Sequence, residues 1–136
     1  FAFIPRDHEL FKEISESGLT GFNQSWAPKA SMYVAAFAAR TKPDGSDLEK
    51  HSAYFNNGLA TSQIVFEAEA MGLKAHYMGG IQHQVIKDLL GIEDLDLTIV
   101  LVIGKQGETN EVDQALKERE EAPRTRKTME EILVQI

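Results

Sequence analysis

Short apolar runs alternate with amphipathic stretches along the chain, and glycine or proline marks most of the boundaries. Residues 1–4 (FAFI) predict a strand, closed by Pro5, which has no N–H to give to a ladder. Leu10, Phe11 and Ile14 recur at helical spacing and predict a helix from an N-cap at Asp7 to about Ser17, stopped by Gly18. A second short helix is expected from Phe22 to Trp26, broken by Pro28. Residues 31–40 (SMYVAAFAAR) have strand length and little alternation, which suits a strand covered on both faces. Residues 41–47 (TKPDGSD) concentrate turn formers and predict a loop. A long helix is then expected from Leu48 to Met71, ended by Gly72. Leu59, Ile64, Phe66, Ala68 and Met71 leave it a thin polar face, the mark of a buried helix, here against a partner subunit.

Leu73 to Met78 predicts a short strand running into Gly79-Gly80, and Gln82 to Leu90 a helix closed by Gly91. Residues 95–103 (LDLTIVLVI) form the strongest strand, stopped by Gly104. Glu111–Glu121 predicts a charged surface helix and Thr128–Leu133 a final short one. The alternation of strands and helices points to mixed α/β or α+β layers around one sheet, in a single domain over residues 1–136.

Composition narrows the function classes. The 136 residues carry 21 Asp+Glu against 14 Lys+Arg, a net charge of −7, which argues against a nucleic-acid surface. There is no cysteine, so neither a disulfide framework nor a thiolate metal site can form, and a cytoplasmic location is expected. No apolar run approaches the length of a membrane span, so no membrane partner is expected. The chain opens at Phe1 rather than Met and directly in an apolar stretch, so an N-terminally incomplete domain is expected.

His8, His51, His76 and His83 form no HExxH and no His/carboxylate cluster at ligand spacing, and no metal site is expected. GxSxG, Walker and GxGxxG patterns are absent. Against the acidic background, Arg124, Arg126 and Lys127 fall within four residues behind Pro123. They read either as a solvated patch or as a site for one specific anion. Gly79-Gly80 reads either as a simple turn or as a place where a flat ligand meets backbone N–H groups. Asn23 could present its amide to a heterocycle edge, or serve in capping or packing.

Taken in order, these segments resemble the FMN-dependent nitroreductase family. The resemblance runs from the opening strand at Phe1–Ile4 and the Asn23–Trp26 segment through the Met32–Ala38 strand to Ala70-Met71-Gly72-Leu73. It continues through Tyr77-Met78-Gly79-Gly80-Ile81, Leu89-Leu90-Gly91-Ile92, the Ile99–Gly104 strand and Pro123-Arg124-Thr125-Arg126. It implies a three-layer α/β/α sandwich with a mostly antiparallel sheet and a long buried helix, in an intertwined homodimer with FMN at its interface. It places Gly79 and Gly80 where backbone N–H groups meet flavin N5, and Arg124 and Arg126 at the FMN phosphate, with no dedicated catalytic acid. Forked guanidiniums suit a phosphate.

Asn23 does not carry over, because the family's flavin-contacting asparagine precedes the first strand. Gly79 departs as well, since the family often has an acidic residue there. The family's front segment, with half of its phosphate grip, precedes the point where this chain begins. The implied activity is hydride transfer from NAD(P)H through FMN to a quinone, nitroaromatic or similar small acceptor. The alternative is a truncated, non-catalytic flavin- or anion-binding dimer of the same fold.

Overall fold

β2 (Met32–Ala39) and β4 (Leu95–Gly104) make the centre of one sheet, because each is apolar toward both faces. The structure is a computed structural model that describes residues 1–108 and 112–134. β1 (Ala2–Pro5) and β3 (Lys74–Met78) flank the central pair in the order β1-β2-β4-β3, with every neighbouring pair antiparallel. Tyr33 and Ala35 point into one core, packed by α1 (Glu9–Glu13), α2 (Asn23–Trp26) and α4 (His83–Leu90). Val34 and Ala36 point into the other, packed by α3 (Lys50–Ala70). The result is the expected α+β arrangement of helix, sheet and helix layers.

β4 breaks its own alternation once. Leu97 and Val100 share a core although they lie three positions apart, which regular alternation would place on opposite faces. Thr98 is the extra residue of a β-bulge opposite the Ala36–Phe37 step. The buried Asn57 of α3 reaches this irregularity and donates from Nδ2 to Phe37 O at 2.8 Å. Thr98 Oγ1 lies 2.6 Å from Asn57 Oδ1 and 2.9 Å from Ala36 O. At the end of α3 nearest Asp96, Arg40 Nε donates to that carboxylate at 2.8 Å and Tyr54 Oη at 3.3 Å. The Arg40 guanidinium holds the Asp96 carboxyl below the usual carboxylate range.

Several local details differ from the expectations. The N-cap of α1 is His8, not Asp7: His8 is extended and its Nδ1 accepts from Leu10 N–H at 3.2 Å. α1 ends at Glu13, and a single π-helical turn, Ile14–Gly18, carries the chain to the expected stop. A Cβ on Gly18 would lie 2.7 Å from Ile86 Cγ1, so close packing of that turn on α4 requires the glycine. α2 ends at Trp26 before Pro28, as expected, and Pro28 sits within a following 3₁₀ turn, Ala27–Lys29. α3 starts at Lys50 rather than Leu48, whose N–H closes the preceding loop onto Arg40 O at 2.9 Å.

The burial expected of the long helix holds, within this chain, for one stripe: Ala53, Asn57, Thr61 and Ala68. The opposite stripe leaves Phe55 65% and Phe66 67% exposed, with Leu59 between them.

The chain divides into two compact units, Phe1–Gln106, which holds the sheet, and Gly107–Ile136. The second contains α5 (Gln114–Glu120), capped by Asp113 Oδ1 on Leu116 N–H at 2.9 Å. Its α6 (Met129–Ile132) begins with a capping box between Thr128 and Glu131. The expected start of α5 at Glu111 lies outside the described residues.

Replacing Asn57 with Ala strips the Phe37 carbonyl and the Thr98 hydroxyl of a buried partner. The expected loss is about 1–3 kcal/mol of unfolding free energy in urea titrations, with the slope unchanged.

Candidate functional site

The β3–β4 ladder ends at the pair Met78–Val100, just before the bulge at Thr98, and Gly79 and Gly80 carry the chain off the sheet. A second strand-like contact takes over: Leu19 bridges Ile81, and Gln82 N–H donates to Gly18 O at 2.8 Å. The two glycines are therefore held between the end of β3 and the segment that leads from the π-helical turn to α2.

They are not equivalent. The Gly80 carbonyl accepts from Thr20 N–H at 3.0 Å and from Asn23 Nδ2 at 3.1 Å. A Cβ on Gly80 would lie 2.9 Å from Asn23 Nδ2 and 3.1 Å from Thr20 Oγ1, so a side chain there would have to displace the Asn23 amide. A Cβ on Gly79 would meet nothing within 4 Å, and its φ lies outside the left-handed region. Gly79 is exposed and opens the backbone to a ligand without being demanded by the fold. Among the described residues, the N–H groups of Gly79 and Gly80 have no protein acceptor. Two amides without a protein acceptor, beside the exposed Gly79, suit an electron-rich edge of a flat ligand.

Arg124 and Arg126 stand in the second unit, both exposed, while Gly79 and Gly80 stand in the first. Arg126 Nη1 donates to Thr125 O at 2.7 Å. Of the histidines, His8 caps α1 and His76 meets the edge of the Trp26 ring at 5.2 Å. Among the described residues no three His, Asp or Glu side chains gather as a metal site. Nor, among them, is any helix long and apolar enough to cross a membrane. A cleft of about 540 Å³ beside α1 is lined by Arg6, Lys12, Glu16 and Gln24 among others, and includes neither glycine.

The bond from Asn23 to Gly80 was not legible in the sequence. It joins residues 57 positions apart, beyond any local pattern.

The family model for the nitroreductase family matches residues 3–105, the greater part of the chain and nearly all of the sheet-bearing unit. The chain belongs to the nitroreductase family. Similar solved structures cover it almost end to end. One is an oxidoreductase containing FMN, 24% identical over 98% of this chain and 68% of that one, with a TM-score of 0.87. A second is a nitroreductase family protein from Clostridium difficile 630, 16% identical over 98% of this chain and 72% of its own, with a TM-score of 0.67. A third, from Exiguobacterium sibiricum 255-15 and solved in complex with FMN, is 18% identical over 99% and 76%, with a TM-score of 0.72. At these identities the likeness is one of fold. No curated protein matches the sequence. Within this nitroreductase-family chain, Gly79 and Gly80 fall inside the matched residues, and Arg124 and Arg126 fall beyond them.

The two glycines should respond differently to a methyl group. Gly80→Ala must push the Asn23 amide off its carbonyl, with an expected loss of about 1 kcal/mol or more in urea unfolding. Gly79→Ala should change stability by less than about 0.5 kcal/mol, or raise it slightly through the unfolded state.

Proposed function

We propose that this chain is an FMN-dependent oxidoreductase that uses NAD(P)H to reduce a small acceptor such as a quinone or nitroaromatic. The observation that carries the reading is the pair of Gly79 and Gly80 N–H groups, without a protein acceptor among the described residues, beside the open backbone at Gly79 in a chain of this family. When bound, FMN supplies two-electron chemistry at N5, accepting and donating hydride. The chain's own residues bind and orient. The Gly79 and Gly80 amides would donate toward the N5 edge, and their fit rests on the open backbone at Gly79.

Arg124 and Arg126 would hold the phosphate, for which two forked, permanently charged donors on an acidic protein are well suited. No titrating side chain is needed for the hydride step, and none is assigned one.

The same proposal includes a homodimer. α3 is apolar on two opposite stripes, and the sheet covers only one of them. The outer stripe of Phe55, Leu59 and Phe66 would be covered by a second copy of α3 and its surroundings.

The test is spectroscopic, on protein purified with its natural N-terminus. The flavin absorbance should follow the protein as it sediments at dimer mass, and should bleach on addition of NADH or NADPH without oxygen. Arg124→Ala and Arg126→Ala should each weaken FMN binding by tenfold or more, since a charged hydrogen bond contributes about 1.5–3 kcal/mol. A colourless protein that stays colourless after incubation with FMN refutes the assignment. Bound FMN that neither nucleotide reduces leaves a flavin-binding dimer without turnover.

A further inference from the structure

The peptide that follows Gly80 is pinned at both ends. Its carbonyl takes two donors, Thr20 N–H and the Asn23 amide, and its N–H, on Ile81, turns back to Gly79 O at 3.1 Å. Gly79 O belongs to the preceding peptide, whose own N–H is that of Gly80. In a planar trans peptide the N–H and C=O point in opposite directions. The bond from Ile81 to Gly79 O therefore sets the Gly80 N–H on the side away from Ile81. The direction of that free amide is set by whatever holds the Gly80 carbonyl.

Two groups hold it, and one of them is a side chain. A carbonyl can only accept, so Asn23 must present its amide nitrogen to Gly80 O. Asn23 is itself well fixed at the start of α2. Its N–H donates to Thr20 O at 3.2 Å, and its carbonyl accepts from Ala27 N–H. One turn further along α2, Trp26 meets the His76 ring edge-on at 5.2 Å, so the helix is tied to β3 on the near side of the turn as well. Asn23 also occupies the space a Cβ on Gly80 would need. The amide and the glycine are thus complementary in both hydrogen bonding and shape.

We propose that Asn23 is a positioning residue, whose carboxamide holds the Gly80 carbonyl and thereby aims the Gly80 N–H at the flavin. This rests on the flavin reading above and adds to it a residue outside the cofactor's own contact set. It gives Asn23, which has no flavin contact by the family resemblance, a role through the Gly80 carbonyl.

The test compares the protein with Asn23→Asp, which keeps the shape but replaces the donor with an acceptor, and Asn23→Ala, which removes both. Three quantities are read: amide hydrogen exchange of the FMN-free protein by NMR, the FMN dissociation constant, and the midpoint potential of the bound flavin. Both variants should speed exchange at the Thr20 and Ile81 amides by roughly tenfold, with Leu101 and Val102 in the central strand unchanged. Both should weaken FMN by roughly tenfold, Asp more than Ala, and shift the potential.

Unchanged exchange at Thr20 and Ile81 in both variants overturns the proposal. So does faster exchange with unaltered FMN affinity and potential, which leaves Asn23 a role in the fold alone. Exchange that rises equally in the central strand overturns it too, as a general loss of stability. If the parent protein binds no FMN, the flavin reading fails and the role at the flavin fails with it. The exchange data then still decide whether Asn23 holds the turn.

Discussion

The extra residue in β4 is the constraint on which most of this fold depends. Side chains on a strand alternate between faces, so Leu95–Leu97 and Ile99–Gly104 can serve the two cores they occupy only if the phase shifts once between them. Thr98 makes that shift. A bulge leaves ladder groups without their regular partners, and this one is completed from outside the sheet, by Asn57 of α3. One buried amide therefore joins the long helix, the central strand and its neighbour at a single point. Without the bulge, Leu97 would leave the core it shares with Val100, and the register of the sheet would have no fixed relation to α3.

The candidate site follows from the same irregularity. β3 pairs with β4 only as far as Val100, and beyond that point the backbone is released where β4 bulges. The released residues are glycines, but for two different reasons. Gly80 is small because Asn23 and Thr20 crowd it, whereas nothing in the chain crowds Gly79. The fold accounts for Gly80 and makes no demand for glycine at position 79. The Gly80 carbonyl is held by the Thr20 N–H and the Asn23 side-chain amide, and the Gly79 carbonyl by the Ile81 N–H.

Much of this was legible in the sequence where one chemical rule acted alone. The apolar runs around Val34 and Val100 read directly as central strands, and Gly91 as a helix stop, because burial and left-handed backbone leave strong local marks. Errors arose where two local rules competed. Asp7 and His8 can both cap a helix, and the turn after Pro5, with His8 N–H on Pro5 O, decided for His8. The apolar pattern of α3 predicted a helix buried over most of its circumference, whereas this chain covers only one stripe. What stayed hidden was long-range: the bulge at Thr98, its closure by Asn57, and the bond from Asn23 to Gly80 all join segments far apart in sequence.

The central claim is that the Gly79 and Gly80 amides are donors to a bound flavin. The most direct measurement is a titration of isotopically labelled protein with FMN, following the backbone amide resonances of those two residues. The account predicts that both move downfield and saturate together with the flavin absorbance, while amides on the far face of the sheet, such as Val65, stay in place. FMN that binds with the Gly79 and Gly80 resonances unmoved would contradict it.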